Sequence, residues 1–127
     1  MIKILKYFKI DLNFINRNGK DDFMPHITVR GVSEEEIMAF AVPLKQIVVK
    51  TANVKPEYAK VFYSTVRRVD APEEVAVDVY WMPREQALCD KVAEAITNFF
   101  HQKGKDFVQV TFTEFPGAHF YENNVHY

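Results

Sequence analysis

The chain has 127 residues, of which 48% are hydrophobic and 26% charged, and its formal net charge is −1. This length suits one domain, and the composition is that of an ordinary globular protein. Phosphate binding requires clustered Lys and Arg, so the near-neutral charge argues against nucleic acid as a partner. No apolar run approaches the roughly 18 residues of a membrane span, and we expect a cytoplasmic protein with no membrane partner.

The first 23 residues differ in character from the rest. Ile, Lys, Asn, Phe and Tyr, which AT-rich codons encode, make up 15 of residues 1–23. Lysines interrupt the apolar stretch and no small-residue cleavage site follows, so a signal peptide is not indicated. We therefore predict an N-terminal extension over residues 1–23, with a mis-assigned start as the favoured hypothesis. The domain itself is predicted over residues 24–127.

After the extension the pattern is regular. Residues 26–30 alternate polar and apolar side chains and predict a short strand. Ser33 and Glu36 have the spacing of a capping box, which predicts the start of a helix. Apolar residues then recur at helical spacing and should face a sheet. Pro43 lacks a backbone donor and predicts a kink in this helix near Ala39.

A strand predicted over residues 60–69 completes the first unit. A second unit of the same kind begins with a strand over residues 75–81, where the alternation of apolar residues is clearest. Pro83 suits the first position of a helix. This helix should end near Lys103, because Gly104 follows and glycine commonly ends a helix.

A strand over residues 107–115 and a small hairpin over residues 119–127, turning at Asn123-Asn124, complete the chain. The order strand, helix, strand is thus duplicated, with the halves about fifty residues apart. Two such units predict an α+β fold with a four-stranded mixed sheet and both helices on one face. Because Phe, Tyr and Val occur on both faces of the strands, the other face should be covered by another subunit.

Nucleophilic and metal chemistry have little support. Cys89 is the only cysteine and fits a small buried residue in an amphipathic helix, with no nearby histidine to activate it. The histidines show no metal-ligand spacing, and we predict neither a metal nor a cofactor. They are His26, His101, His119 and His126.

Five short motifs, in order, resemble the tautomerase superfamily, which includes 4-oxalocrotonate tautomerase and macrophage migration inhibitory factor. Pro25 opens a strand, and residues 55–58 (KPEY) form a turn. Residues 81–84 (WMPR) precede the second helix, and residues 113–120 (TEFPGAHF) lead into the tail at 120–124 (FYENN). The resemblance is strongest to an uncharacterised bacterial family within the superfamily. It implies the duplicated tautomerase-like fold and a homotrimer.

The resemblance also implies candidate site residues. Pro25 would be the base of a keto–enol proton transfer, provided that its nitrogen is the free N-terminus. Lys55, Arg84 and Phe120 would contact a small carbonyl or aromatic ligand. The alternative roles are a solvated turn residue for Lys55, a surface charge for Arg84 and trimer packing for Phe120.

Other expected arginines are missing. Val32 replaces the first-half arginine of 4-oxalocrotonate tautomerase, and its second-strand arginine maps to Val61 or Gln109. A dicarboxylate substrate is therefore not favoured. Two functions remain open: an isomerase that requires a free Pro25, or a non-catalytic trimeric module that binds a small ligand or serves in assembly.

Overall fold

The computed structural model describes residues 24–126, so the predicted extension (1–23) and Tyr127 lie outside the described residues. Within them, four strands form one mixed sheet with two helices on one face, followed by a hairpin, which confirms the predicted α+β fold. The elements are β1 (His26–Arg30), α1 (Glu34–Ala52), β2 (Lys60–Tyr63), β3 (Val75–Trp81), α2 (Gln86–Gln102), β4 (Val108–Glu114), β5 (Tyr121–Glu122) and β6 (Val125–His126).

The strand pairing shows the predicted duplication. The sheet order is β2-β1-β3-β4, in which β1 lies parallel to β2 and β3 parallel to β4. A helix connects the two strands of each parallel pair, as parallel pairing requires. The two halves join where β1 and β3 run antiparallel, with His26 opposite Tyr80 and Arg30 opposite Ala76. The beginning of β1 therefore lies beside the end of β3.

The core lies between the sheet and the helices. Alternate residues of β1 and β3 point toward the helices and are almost fully buried. Burial of each such large aliphatic side chain stabilises the fold by about 1.5–3 kcal/mol. The buried residues are Ile27, Val29, Val75, Val77, Val79 and Trp81 from the strands, with Ile37, Leu44, Val48, Val92, Ile96, Phe99 and Phe100 from the helices.

A predicted capping box begins α1. The Glu36 amide donates to Ser33 Oγ at 3.0 Å, and the Ser33 amide donates to Glu36 Oε1 at 2.9 Å. Lys105 Nζ, just beyond α2, donates to the other carboxylate oxygen of Glu36 at 2.6 Å and lowers the pKa of Glu36. The helix continues unbroken through Pro43 to Ala52. The kink near Ala39 stays a prediction.

The second strand is shorter than predicted. Instead of residues 60–69 it covers Lys60–Tyr63, and the last hydrogen bond of the ladder joins the Ser64 amide to the Val29 carbonyl at 2.8 Å. Its partner β1 stops at Arg30, where Gly31 turns the chain with a φ of 89°. Residues 64–69 therefore have no strand beside them among the described residues.

The second helix begins later than predicted, at Gln86 rather than at Pro83. The reason is a hydrogen bond between the segment that follows β3 and the last residue of β4. The Arg84 amide donates to Glu114 Oε2 at 3.1 Å. This bond holds the segment after β3 against β4, and the chain becomes helical only after Glu85.

The predicted turns are confirmed. The second helix ends at Gln102, and Gly104 follows with a φ of 84°. Asn123 and Asn124 have φ angles of 50° and 71° between β5 and β6, so both adopt the left-handed conformation that a two-residue hairpin requires.

The sheet face away from the helices, which we call the open face, is more polar than predicted. All strand valines lie on the helix side, because the register places them opposite one another. Phe62 and Tyr80 are the large hydrophobic residues of the open face, with exposed fractions of 47% and 39%. The remaining side chains on this face are His26, Thr28, Arg30, Lys60, Ala76, Asp78, Gln109, Thr111 and Thr113.

Replacing Gly31 by alanine should destabilise the fold by about 3 kcal/mol or more, from positive φ and overpacking. An added Cβ would lie 2.0 Å from the Glu74 carbonyl oxygen. Gly104→Ala is a matched control, since its φ is also positive but no atom lies within 4 Å of the added Cβ. It should cost about 1–2 kcal/mol. Equal losses in urea unfolding would contradict the close approach of Gly31 to Glu74.

Candidate functional site

The predicted site residues lie at one end of the sheet. We call it the Pro25 end, where β1 begins and β3 and β4 stop. The Lys60 amide, the first of β2, donates to the Pro25 carbonyl at 3.1 Å. His26 lies between Lys60 and Tyr80 in the ladder. Pro25 therefore lies between the start of β2 and the end of β3.

Pro25 itself is buried, and its nitrogen is bonded to Met24, which is only 3% exposed. A proline nitrogen within a chain is a tertiary amide with no basic lone pair. In the chain with Met24 in place, Pro25 therefore cannot accept a proton. The predicted base requires cleavage of this one bond.

Arg84 lies at the Pro25 end because β3 runs antiparallel to β1. Its Nη1 donates to the Met82 carbonyl at 2.9 Å. Its guanidinium carbon lies 5.0 Å from the centre of the Trp81 ring, a cation–π contact. The side chain is half-buried. These contacts hold a positive charge beside the end of β3.

Trp81 is a residue that sequence reasoning treated only as part of a strand and a motif. Its side chain is fully buried and stacks on Phe112, with ring centres 5.0 Å apart. Within residues 24–126, Trp81 Nε1 has no hydrogen-bond partner. An unsatisfied buried donor costs about 1–3 kcal/mol. The Pro25 end thus holds a buried donor next to the cation of Arg84.

Phe120 reaches the Pro25 end from the segment that follows β4. A short 3-10 helix over Gly117–His119 turns the chain back, and the Phe120 ring then stacks on Phe115 at 5.9 Å. The same ring meets the imidazole of His26 edge-on at 5.8 Å. Phe120 therefore lies over the first residue of β1, next to Pro25.

Lys55 lies on the turn that enters β2. A 3-10 helix over Pro56–Tyr58 follows it, and the Tyr58 amide donates to the Lys55 carbonyl at 3.1 Å. This turn ends at Ala59, one residue before the bond between Lys60 and Pro25. Lys55 is half-buried and belongs to the Pro25 end through its place in this turn.

His26 was missed as a site residue, although strand alternation alone places it on the open face. Its ring lies 5.6 Å from Phe62 and 5.8 Å from Phe120, edge-on to both. Burial lowers the pKa of His26, the charge of Lys60 lowers it further, and Glu122 opposes them. The imidazole is therefore neutral at pH 7.

Because the arginines expected from 4-oxalocrotonate tautomerase are missing, positive charge is distributed unevenly between the two ends of the sheet. Arg30 ends β1, and Arg67 and Arg68 follow β2, so these arginines all lie at the opposite end of the sheet from Pro25. There they line a cavity of about 430 Å³ with Glu73 and Glu74, which offset their charge. Of the arginines in residues 24–126, Arg84 alone lies at the Pro25 end.

Of the positions where arginines are replaced, Val32 and Gln109 lie away from the Pro25 end, whereas Val61 lies close to it. Val32 is buried, and its carbonyl accepts from the Tyr63 hydroxyl at 2.8 Å near the start of α1. Gln109 pairs with Ala76 near the start of β4. Val61 pairs with Ile27 on the helix side of the sheet.

Cys89 is buried at 7% exposure, as predicted. Its Sγ lies 3.8 Å from Glu114 Oε2, and burial followed by this carboxylate raises the pKa of the thiol. A thiol of raised pKa is a poor nucleophile. Across residues 24–126 the structure contains no group of three or more His, Cys, Asp or Glu placed to hold a metal. The helices in that range are too short or too polar to cross a membrane.

The fold is shared with several solved structures. A DUF1904 domain from Sebaldella termitidis is 26% identical, with a TM-score of 0.72 over 82% of this chain and 100% of its own. A macrophage migration inhibitory factor-like protein from Entamoeba histolytica is 14% identical, with a TM-score of 0.69 over 81% and 98%. A fused 4-OT (4-oxalocrotonate tautomerase), described as an asymmetric trimer, is 10% identical, with a TM-score of 0.68 over 80% and 94%.

No curated protein matches the chain in sequence at a significant level. A family model does match: the one described as Domain of unknown function (DUF1904) covers residues 24–126. The predicted resemblance to an uncharacterised family with a tautomerase-like fold is confirmed. This chain belongs to the DUF1904 family and has the fold seen in macrophage migration inhibitory factor-like proteins and 4-oxalocrotonate tautomerase.

Proposed function

We propose that the protein is a cytoplasmic isomerase that catalyses keto–enol proton transfer when Pro25 is its first residue. The observation that carries this proposal is the convergence of Pro25, Arg84 and Phe120 at one end of the sheet. An α-amino group has an ordinary pKa of about 7.7–8.0. Burial and a nearby cation lower that value toward neutral pH, where a base is most effective.

The roles of the other residues follow from their charge and position. Arg84 is a fixed cation that stabilises the negative oxygen of the enolate. Lys55 adds a second positive charge from the turn before β2. Phe120 provides an apolar wall for an aromatic ligand. With Arg84 as the arginine at this end, the substrate class is a small carbonyl compound with one carboxylate.

The boundary of the domain supports a start at Pro25. The family match begins at Met24, directly before it. A proline is small enough at the second position for the preceding methionine to be removed. We propose that residues 1–23 are absent from the native protein and that Pro25 is its N-terminus.

In the form that begins with Pro25, Pro25→Ala should lower phenylpyruvate keto–enol turnover by about 100-fold or more, since a positioned base contributes this much. The control is Pro72→Ala, because Pro72 lies exposed in the loop before β3. Unchanged turnover in Pro25→Ala would refute the role of Pro25. Mass spectrometry of the native protein is the companion test, and an intact chain from Met1 would also refute it.

Arg84→Ala should weaken binding of phenylpyruvate at least tenfold in isothermal titration calorimetry, because a charged hydrogen-bond donor contributes about 1.5–3 kcal/mol. The matched control is Arg67→Ala, since Arg67 is 79% exposed and lies at the opposite end of the sheet. Equal affinities of the two variants would make Arg84 a purely structural side chain.

We also propose that the open face is covered by further copies of this chain in a homotrimer. The fused 4-OT of similar fold is described as a trimer. Phe62 and Tyr80 expose apolar surface there, and burying it favours association. The polar residues of the face would then need partners across the interface.

Phe62→Lys should shift the protein from trimer to monomer in light scattering, because it places a charge within the buried interface. Met38→Lys is the control, since Met38 is a 77% exposed hydrophobic residue on α1, away from the open face. A monomeric wild-type protein would overturn the trimer.

A second candidate function is a non-catalytic trimeric module that binds a small ligand or serves in assembly. It is favoured by the peptide bond between Met24 and Pro25, which removes the base, and by the burial of Met24. Ligand binding that depends on Arg84, without any turnover in the Pro25-first form, would support this function over the isomerase.

A further inference from the structure

His26 offers the Pro25 end a second group that can accept a proton. We propose that His26 acts as a catalytic base in the chain in which Met24 remains joined to Pro25, and that an aromatic 2-keto acid binds against Phe120 beside it. This inference rests on the keto–enol chemistry of the proposed function but does not require a free Pro25 nitrogen.

The position of His26 suits this role. As the first residue of β1, it lies on the open face, opposite in direction to the buried Ile27. Its edge-on contacts with Phe62 and Phe120 hold the ring in a fixed orientation between two apolar surfaces. In the part of the chain that the structure describes, neither imidazole nitrogen has a hydrogen-bond partner. A nitrogen lone pair is therefore available for proton transfer.

The charges around His26 keep it in the reactive form. Lys60 of β2, Tyr80 of β3 and Glu122 of β5 are the titratable groups that face it. Burial and Lys60 lower the pKa of His26 and outweigh Glu122, which favours the neutral imidazole. Lys60 is also its ladder neighbour and supplies a positive charge for the carboxylate or the enolate oxygen.

The proposed step is balanced without any additional reactant. The imidazole nitrogen takes a proton from C3 of the keto acid, and the C–H electron pair becomes the C2–C3 double bond. The carbonyl π pair moves to the oxygen, which becomes the enolate. The imidazolium then returns its proton to this oxygen, which gives the neutral enol and restores the imidazole.

The test uses the full 127-residue chain, with its mass checked so that the Met24–Pro25 bond is intact. Exchange of the C3 protons of phenylpyruvate for deuterium, followed by NMR, reports the first half of the step. We expect exchange at least tenfold above buffer, a return to the buffer rate in His26→Gln, and no change in the control His101→Gln. His101 lies exposed on α2.

The pH profile gives a second prediction. A lowered pKa means that His26 is protonated only at a pH below the ordinary value of about 6.5. The exchange rate should therefore be constant above that pH and fall as the pH decreases through the pKa of the folded state. The imidazole resonances of the wild-type protein should also shift when phenylpyruvate is added, which tests binding without any variant.

The outcomes separate this inference from the proposed function. Exchange at the buffer rate in the full chain, or unchanged exchange in His26→Gln, overturns the role of His26 even where the Pro25-first form is active. The role of His26 is also overturned if the imidazole resonances do not shift when phenylpyruvate is added. Activity in the full chain that depends on His26, with an inactive Pro25-first form, supports His26 and overturns Pro25.

Discussion

The antiparallel pairing of β1 with β3 is the interaction on which the rest of the structure depends. Each half of the chain is a parallel strand pair with its own helix, and in such a unit alone one edge of β1 or β3 would have no hydrogen-bonding partner. Pairing at the centre creates one sheet and one core, in which Ile27 pairs with Val79 and Val29 with Val77. Hydrogen bonds and hydrophobic burial are thus satisfied by the same contact.

The same pairing determines where chemistry can occur. Because β1 and β3 run in opposite directions, the start of the first half meets the end of the second. Pro25 and Arg84 consequently lie at the same end of the sheet, while Arg30 lies at the far end. One covalent bond then decides the acid–base character of the Pro25 end. With the peptide bond intact, Pro25 has no basic nitrogen, whereas a free amine would be a base of higher ordinary pKa than histidine.

Much of this fold could be predicted from the sequence. Alternation over His26–Arg30 and Val75–Trp81, the Ser33 capping box and the Asn123–Asn124 turn are local signals, and local signals fixed these elements correctly. The predicted bounds were wrong where contacts between residues distant in sequence determine the end of a strand or the start of a helix. The length of β2 depends on where its partner β1 ends, and the start of α2 depends on the bond from Arg84 to Glu114.

The candidate site was predictable only in part, for a similar reason. Motif resemblance suggested Pro25, Lys55, Arg84 and Phe120; these residues lie at one end of the sheet, and their roles stay predictions. His26 and Trp81 have no motif that marks their chemistry. The surroundings of His26 are formed by β2, β3 and the segment after β4, which only the fold brings together. That the buried Trp81 Nε1 has no hydrogen-bond partner within residues 24–126 is likewise visible only in the folded core.

The contact of Glu36 with Lys105 has a consequence for the way the domain opens. One carboxylate closes the first turn of α1 and also holds the residues that follow α2. The two helix ends therefore lose a shared partner at the same moment, so they should fray together rather than separately. In native-state hydrogen exchange, the amides at the start of α1 and at the end of α2 would then belong to one cooperative unit, although about seventy residues separate them.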